Sequence, residues 1–263
     1  MIDPHPALRA TFSHREKDSR NPLGEIGGTM NLQNATVLIT GGSSGIGYSI
    51  AKVLIDAGAR VAITGRDEKK LYKAAEMLNA VAIRADVTNE ADVQRTFREA
   101  LQVFNHLDIL VNNAGVGVFK KLVDIDLATF ERIFRTNVTG AMLMGREAAK
   151  HFIEQNRGNI VNICSTASLR GAAEGTAYYA SKFALRGMTE CWRAELRRYN
   201  IRVFLINPSE VLTNFGAAAG LAQPDNPTKL RGEEIAHMIR AALEMNDRGF
   251  TPELSIFATN PKD

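Results

Sequence analysis

From Ala35 onward the chain alternates short, β-branched apolar runs with stretches of helical spacing, and few folds accommodate that rhythm. Val37-Leu38-Ile39-Thr40 reads as a strand buried on both faces. It is followed by Ile46, Ile50, Val53 and Leu54 at three- and four-residue intervals, a helical face that ends at Ala57-Gly58. Further strands are predicted at 61–64, 81–83, 109–111, 160–163 and 203–206, with a last one within 249–257. Helices are predicted at about 68–78, 90–103, 127–155 and 177–199. Strands alternating with helices call for right-handed crossovers, hence an α/β fold with one doubly wound parallel sheet and helices on both faces. About seven strands in a single domain, 30–263, are expected.

Residues 1–29 break the rhythm. They hold Pro4, Pro6, Pro22, Gly24, Gly27 and Gly28 among charges that cancel, without periodicity or the apolar core of a secretory signal. They are expected to form a flexible N-terminal extension. The 263-residue chain carries a net charge of +3 with Lys and Arg dispersed, which points away from a nucleic-acid partner. No run approaches roughly 18 apolar residues, so no membrane span is expected. Two cysteines, Cys164 and Cys191, make neither a disulfide framework nor a four-ligand metal set. Both read as small buried apolar groups. A cytoplasmic location without a bound metal follows as the expectation.

The first strand runs into Thr40-Gly41-Gly42-Ser43-Ser44-Gly45-Ile46-Gly47, which opens the first helix. Glycines let a backbone turn tightly and approach a diphosphate, whose charge the free N–H groups of a helix start favour. Gly41-Gly42-Ser43-Ser44-Gly45 also fits a hydrolase nucleophile elbow with Ser43 as nucleophile. That rival needs a histidine at a strand's carboxyl end, and His106, His151 and His237 all lie in helical or capping surroundings. In dinucleotide sites an acid at the end of the second strand binds the ribose 2′-hydroxyl. Here Gly65 stands in that place and Arg66 follows. A guanidinium there suits a 2′-phosphate, so NADP(H) is expected over NAD(H).

Ser165 ends the fifth strand, and thirteen positions on begins Tyr178-Tyr179-Ala180-Ser181-Lys182. Positions i and i+4 share a helix face, so Tyr178 and Lys182 point the same way. A free phenol titrates near about 10 and is a poor acid at neutral pH. A neighbouring ammonium favours the phenolate, and a serine hydroxyl can hydrogen-bond a carbonyl oxygen on its way to an alkoxide.

Together these residues resemble the short-chain dehydrogenase/reductase family over about 32–258. The resemblance is carried by the glycine turn, Asp86-Val87, Asn112-Asn113-Ala114-Gly115, Thr136-Asn137-Val138, Ser165, Tyr178 and Lys182. It implies a Rossmann-type fold and an NADP-preferring oxidoreductase that exchanges hydride between the coenzyme and a ketone, aldehyde or secondary alcohol, with a 3-oxoacyl thioester as default substrate. By the same resemblance Tyr178 is the general acid and Lys182 holds the nicotinamide ribose. Ser165 orients the carbonyl, and Asn137 binds a water that extends the proton path. Gly41, Ser43, Ser44, Gly45, Ile46 and Gly47 cradle the diphosphate. Asp86 and Val87 line the adenine pocket, and Asn113, Ala114 and Gly115 support the coenzyme. Pro208 and Thr213 lie by the nicotinamide, Thr213 at its carboxamide. A homodimer or homotetramer packed through the two long helices is implied, with a small-molecule carbonyl as the other partner. Three departures stand out. Ser209 replaces the usual glycine after Pro208, Ser44 is neutral where many NADP-preferring relatives are basic, and the C-terminus lacks a glycine-rich segment. A nucleotide sensor that binds NADP without catalysis is the alternative, and the intact Ser165, Tyr178, Lys182 and Asn137 set argues against it. The segment 212–231 is expected to close over the substrate.

Overall fold

The computed structural model describes residues 29–213, 215 and 226–260. Among them seven strands form one parallel sheet: β1 (Thr36–Ile39), β2 (Arg60–Gly65), β3 (Val81–Arg84), β4 (Ile109–Asn112), β5 (Gly158–Ile163), β6 (Ile201–Pro208) and β7 (Glu253–Ile256). Their spatial order is β3-β2-β1-β4-β5-β6-β7. The chain builds outward from β1 to β3, crosses back, and builds outward again from β4. The order therefore reverses between β1 and β4, which opens a crevice at their carboxyl ends.

Alternation along each strand divides the core into two layers. Val37 and Ile39, Val61 and Ile63, Ile109 and Val111, Val161 and Ile163, and Phe204 and Ile206 point to one face. Leu38, Ala62, Leu110, Ile160 and Val203 point to the other. That is the period-two geometry of a sheet covered on both sides. On the first face lie α1 (Gly45–Asp56), α2 (Glu68–Leu78) and α7 (Gly232–Leu243); on the second lie α3 (Glu90–Phe104) and α5 (Ala141–Gln155). The remaining long helices are α4 (Leu127–Phe134) and α6 (Thr176–Leu196). A side chain on Gly232 would stand 2.9 Å from Cβ of Ser49, so its absence lets α7 lie close on α1.

Asp67, Asn89 and Asp126 cap the starts of α2, α3 and α4 through their side chains. Asn79, Asn105 and Asn156 close α2, α3 and α5 with left-handed φ of 55°, 66° and 52°.

The stretch expected as one helix over 127–155 is instead two, joined by a π-helical turn at Arg135–Gly140. Wider i→i+5 spacing there breaks the register between α4 and α5 and turns Asn137 inward. Helix α7 is not among the predicted helices; it begins directly after the 212–231 segment. Cys191 is exposed, contrary to expectation, because it lies on a part of α6 that no described element covers; Cys164 is buried, as expected. Thr29 already pairs with Asn246 by an isolated bridge. The rest of the expected N-terminal extension lies outside the described residues. No described helix is long and apolar enough to cross a membrane.

Candidate active site

The glycine turn is fixed from behind by β4. The Thr40 hydroxyl accepts from the backbone N–H groups of Asn113 and Ala114, both at 3.0 Å. The Asn113 amide donates to the carbonyls of Thr40 at 2.9 Å and Gly41 at 3.1 Å. Gly41 and Gly45 adopt φ of +64° and +55°, left-handed backbone that side chains disfavour. A side chain on Gly47 would collide with the Asn113 amide and come within 2.6 Å of the Gly41 carbonyl. The first N–H groups of α1, on Gly45, Ile46 and Gly47, have no intrahelical acceptor by geometry and converge on the crevice. Ser44 is the N-cap and is exposed. Thr213 stands over Gly45, where a side chain on that glycine would lie 3.4 Å from it. Pro208 is buried opposite Ile256 of β7, and the Ser209 N–H continues the ladder to the Ile256 carbonyl at 2.8 Å.

Beside the turn, Arg66, Arg84, Ala85, Asp86, Asp92 and Arg95 line a cleft of about 340 Å³. Arg66 is 64% exposed in its side chain and approaches Asp86 at 4.0 Å. Arg84, opposite Gly65 in the β2–β3 pair, donates from Nε to the Arg66 carbonyl at 3.4 Å. Arg95 is matched by Asp92 at 2.9 Å and Glu99 at 3.1 Å. The backbone N–H of Asp86 and the guanidinium of Arg95 hold the Asp92 carboxyl below its ordinary range. Among the described residues no carboxylate pairs with Arg84. Arg66 and Arg84 thus leave a local excess of positive charge where the second strand ends. Val87 turns away into the core against Gly140, beneath the cleft rather than in its lining.

Across the crevice, Ser165 lies two residues past the end of β5 and caps the short 3-10 turn Thr166–Ser168 by accepting from the Ala167 N–H at 3.1 Å. Tyr178 and Lys182 lie one turn apart on the buried face of α6, at 9% and 6% exposure. Lys182 Nζ is 5.7 Å from the Tyr178 ring centroid. It donates to the Ile163 carbonyl at 3.1 Å, its one acceptor among the described residues. Burial pushes the Tyr178 phenol far above its usual range, opposed by hydrogen bonding with Ser165. Burial also pushes the Lys182 ammonium down.

Asn137 is 1% exposed. Its Oδ1 accepts from the Val116 N–H at 2.8 Å, and its Nδ2 donates to the Val116 carbonyl at 2.9 Å and to Ser181 Oγ at 3.0 Å. Both amide hydrogens are used, and one Oδ1 lone pair remains. A side chain on Gly115 would sit 3.4 Å from Asn137 Oδ1 and 3.8 Å from Lys182 Nζ, so the Gly115 backbone runs between them.

The family model for short chain dehydrogenases matches residues 35–223. The chain is a short-chain dehydrogenase. Secoisolariciresinol dehydrogenase of Forsythia intermedia is 35% identical over 227 residues, covering 84% of this chain and 79% of that protein. A 3-ketoacyl-(acyl-carrier-protein) reductase from Brucella melitensis, solved with NADH, superposes with a TM-score of 0.81 at 29% identity, covering 87% of this chain and 98% of that one. An alcohol dehydrogenase from Thermococcus sibiricus, solved with 5-hydroxy-NADP, gives a TM-score of 0.78 at 25% identity, covering 88% and 100%. As a short-chain dehydrogenase this protein is an oxidoreductase of the alcohol–carbonyl couple that uses a nicotinamide coenzyme.

This dehydrogenase brings Gly41, Ser43, Gly45, Gly47, Asn113, Gly115, Asn137, Ser165, Tyr178, Lys182 and Thr213 to one edge of the sheet. Asp86 and Arg66 sit at the far end of the same edge. The elbow reading fails on position, because His106 and His151 lie at the opposite edge beside Thr36 and Leu107, and His237 is exposed on α7. Five contributors to the site were not singled out in the sequence. Thr40 and Ser181 were visible as members of their motifs, but their bonds come from β4 and the π turn. Arg84, Phe119 and Phe215 carried no local signal. Glu210 is 54% exposed in its side chain and pairs with Lys229 at 2.6 Å.

Proposed function

We propose that this short-chain dehydrogenase reduces a ketone or aldehyde carbonyl and prefers NADPH. The observation that carries the reading is the convergence of Ser165, Tyr178 and Lys182, two of them buried, on the glycine turn across one crevice. The residues fit a dinucleotide. Gly41, Gly45 and Gly47 leave the backbone bare toward a diphosphate, and Ser43, Ser44 and Ile46 complete the turn. Lys182 is a buried ammonium with donors to spare for ribose hydroxyls. Asp86 would meet the adenine with Val87 packed behind it, Asn113, Ala114 and Gly115 would back the nicotinamide ribose, and Pro208 and Thr213 would flank the carboxamide.

When bound, NADPH supplies the hydride that makes the carbonyl carbon a carbinol. Ser165 donates a hydrogen bond to the carbonyl oxygen and steadies its developing charge. Tyr178 gives up its phenolic proton to that oxygen, and the O–H bond of the product alcohol forms as the tyrosine O–H bond breaks. A phenol that keeps its proton throughout the neutral range is ready to act as donor in this direction. The resulting phenolate is stabilised by Lys182, through which a proton returns from water held at the remaining Oδ1 lone pair of Asn137.

NADPH preference rests on Arg66 and Arg84, whose guanidiniums would share a 2′-phosphate. Ser44 contributes no charge there, and Arg84 takes the place of the missing second cation. The free thiols Cys164 and Cys191 support an intracellular setting, and α5 and α6 are the surfaces through which copies of the chain would pair. A sensor that binds NADP without turnover has no use for a buried phenol and ammonium beside Ser165. A carbonyl panel run with NADPH and NADH side by side tests both readings. Coenzyme is consumed with at least one carbonyl, and NADPH leads in kcat/KM by roughly 10-fold or more. Binding of NADPH with no carbonyl consumed would favour the sensor.

A further inference from the structure

The groups around the Tyr178 phenol say more about the carbonyl than its reactive atoms do. Phe119, on the segment after β4, lies with its ring centroid 5.5 Å from that of Tyr178 at an interplanar angle of 56°. Phe215, after β6, lies at the same 5.5 Å and 51°. Tyr179 sets its edge against the same ring at 6.1 Å and 84°. Three aromatic side chains from three different parts of the chain thus surround the proton donor.

The wall is held by backbone rather than by chance contact. The Lys120 N–H, next to Phe119, donates to the Glu174 carbonyl at 2.8 Å, and Glu174 adopts a left-handed φ of 63° just ahead of α6. Gly117 has no side chain where Phe215 packs. A Cβ there would lie 2.7 Å from Phe215 Cζ and 3.3 Å from Tyr178 Cδ2. Two charged side chains near this wall are committed elsewhere. Lys120 pairs with Asp126 at 3.4 Å, and Glu210 pairs with Lys229 at 2.6 Å. An anionic substrate entering here would lose hydration without gaining a partner among these groups. A flat, uncharged ring would instead join an aromatic cluster in the tilted geometries that aromatic pairs favour.

We propose that Phe119 and Phe215 select a carbonyl attached to a flat, uncharged aromatic ring, an aryl ketone, rather than an acyl thioester or a keto acid. The proposal rests on the carbonyl-reductase reading above and narrows its substrate class. The test compares acetophenone, 2-acetylnaphthalene, an acetoacetyl thioester and pyruvate as substrates, in the full-length protein and in Phe119→Leu and Phe215→Leu. These leucines keep apolar bulk and remove only the ring, and thermal melts confirm that each variant is folded. Equilibrium dialysis of 2-naphthol, an uncharged flat alcohol, measures binding without turnover.

The ring ketones lead the thioester and pyruvate in kcat/KM by about 10-fold or more in the wild type. Each leucine variant lowers kcat/KM for the ring ketones at least five-fold more than for the thioester, and weakens 2-naphthol by a similar factor. A wild type that prefers the thioester or pyruvate overturns the proposal, as does a ring preference that both variants keep. If no carbonyl turns over with either coenzyme, the reductase reading fails separately. The naphthol arm still decides the aromatic site, and equal binding by wild type and both variants refutes it.

Discussion

The two edges of the sheet use polar groups in opposite ways. At the amino edge, Asp108 is enclosed by protein partners. Its Oδ2 accepts from the Thr36 N–H and hydroxyl, both at 2.9 Å, and faces His106 Nε2 at 3.1 Å, while Oδ1 faces Arg157 at 3.4 Å. His151 Nε2 accepts from the Leu107 N–H at 3.1 Å. Burial tends to raise the Asp108 carboxyl, but hydrogen bonds from His106 and Thr36 outweigh it and hold the group below its ordinary range. At the carboxyl edge, Lys182 is more deeply buried yet has one acceptor among the described residues, and burial outweighs the opposing influence of Cys164 to push its ammonium down. One edge satisfies its charges for stability. The other keeps donors in reserve for a ligand, a cost to the fold that functional sites commonly carry.

If that contrast is sound, substitutions at the two edges separate function from stability. Lys182→Met, similar in length and uncharged, lowers kcat for carbonyl reduction by about 10³-fold. Its melting temperature stays level or rises, since an underpartnered buried charge is gone. A stopped assay and a melt on the same sample check both halves. Asp108→Asn does the reverse, losing about 3 kcal/mol of stability, or roughly 10 °C in melting temperature, with turnover at 25 °C within about two-fold of wild type. Its pH dependence follows from the lowered carboxyl. The stabilisation is complete above the unfolded value near about 4 and fades as pH falls through the folded value. The gap in melting temperature between wild type and variant therefore closes in acid, and a gap that widened there would contradict the assignment. The smallest effect lies at the cleft. Arg84→Gln weakens NADPH by about five-fold in a binding titration and leaves NADH unchanged.

Much of this architecture was readable before any coordinates. Helix α2 falls where apolar spacing placed it, because Asp67 caps its start and Leu71, Ala74, Ala75 and Leu78 form one buried stripe. Strands β1 and β4 were readable because their apolar residues point to both faces, as a doubly covered sheet requires. The π turn at 135–140 was not, since a five-residue hydrogen-bond step has no compositional signature. That turn is what places Asn137 against Val116 and Ser181. The site shows the same division. Spacing of Tyr178 and Lys182 on one helix is local information. Arg84 reaches Arg66, and Phe119 reaches Tyr178, only because β3 adjoins β2 and the segment after β4 meets α6.

The account stands most directly on Tyr178 as proton donor at the carboxyl edge. The deciding measurement follows deuterium from nicotinamide-labelled NADPH into the alcohol product, in wild type and Tyr178→Phe, with coenzyme binding titrated in both. Wild type places deuterium on the carbinol carbon, and the phenylalanine variant binds NADPH within about three-fold yet transfers label about 10³-fold more slowly. Label transfer at an undiminished rate in the variant would contradict the account.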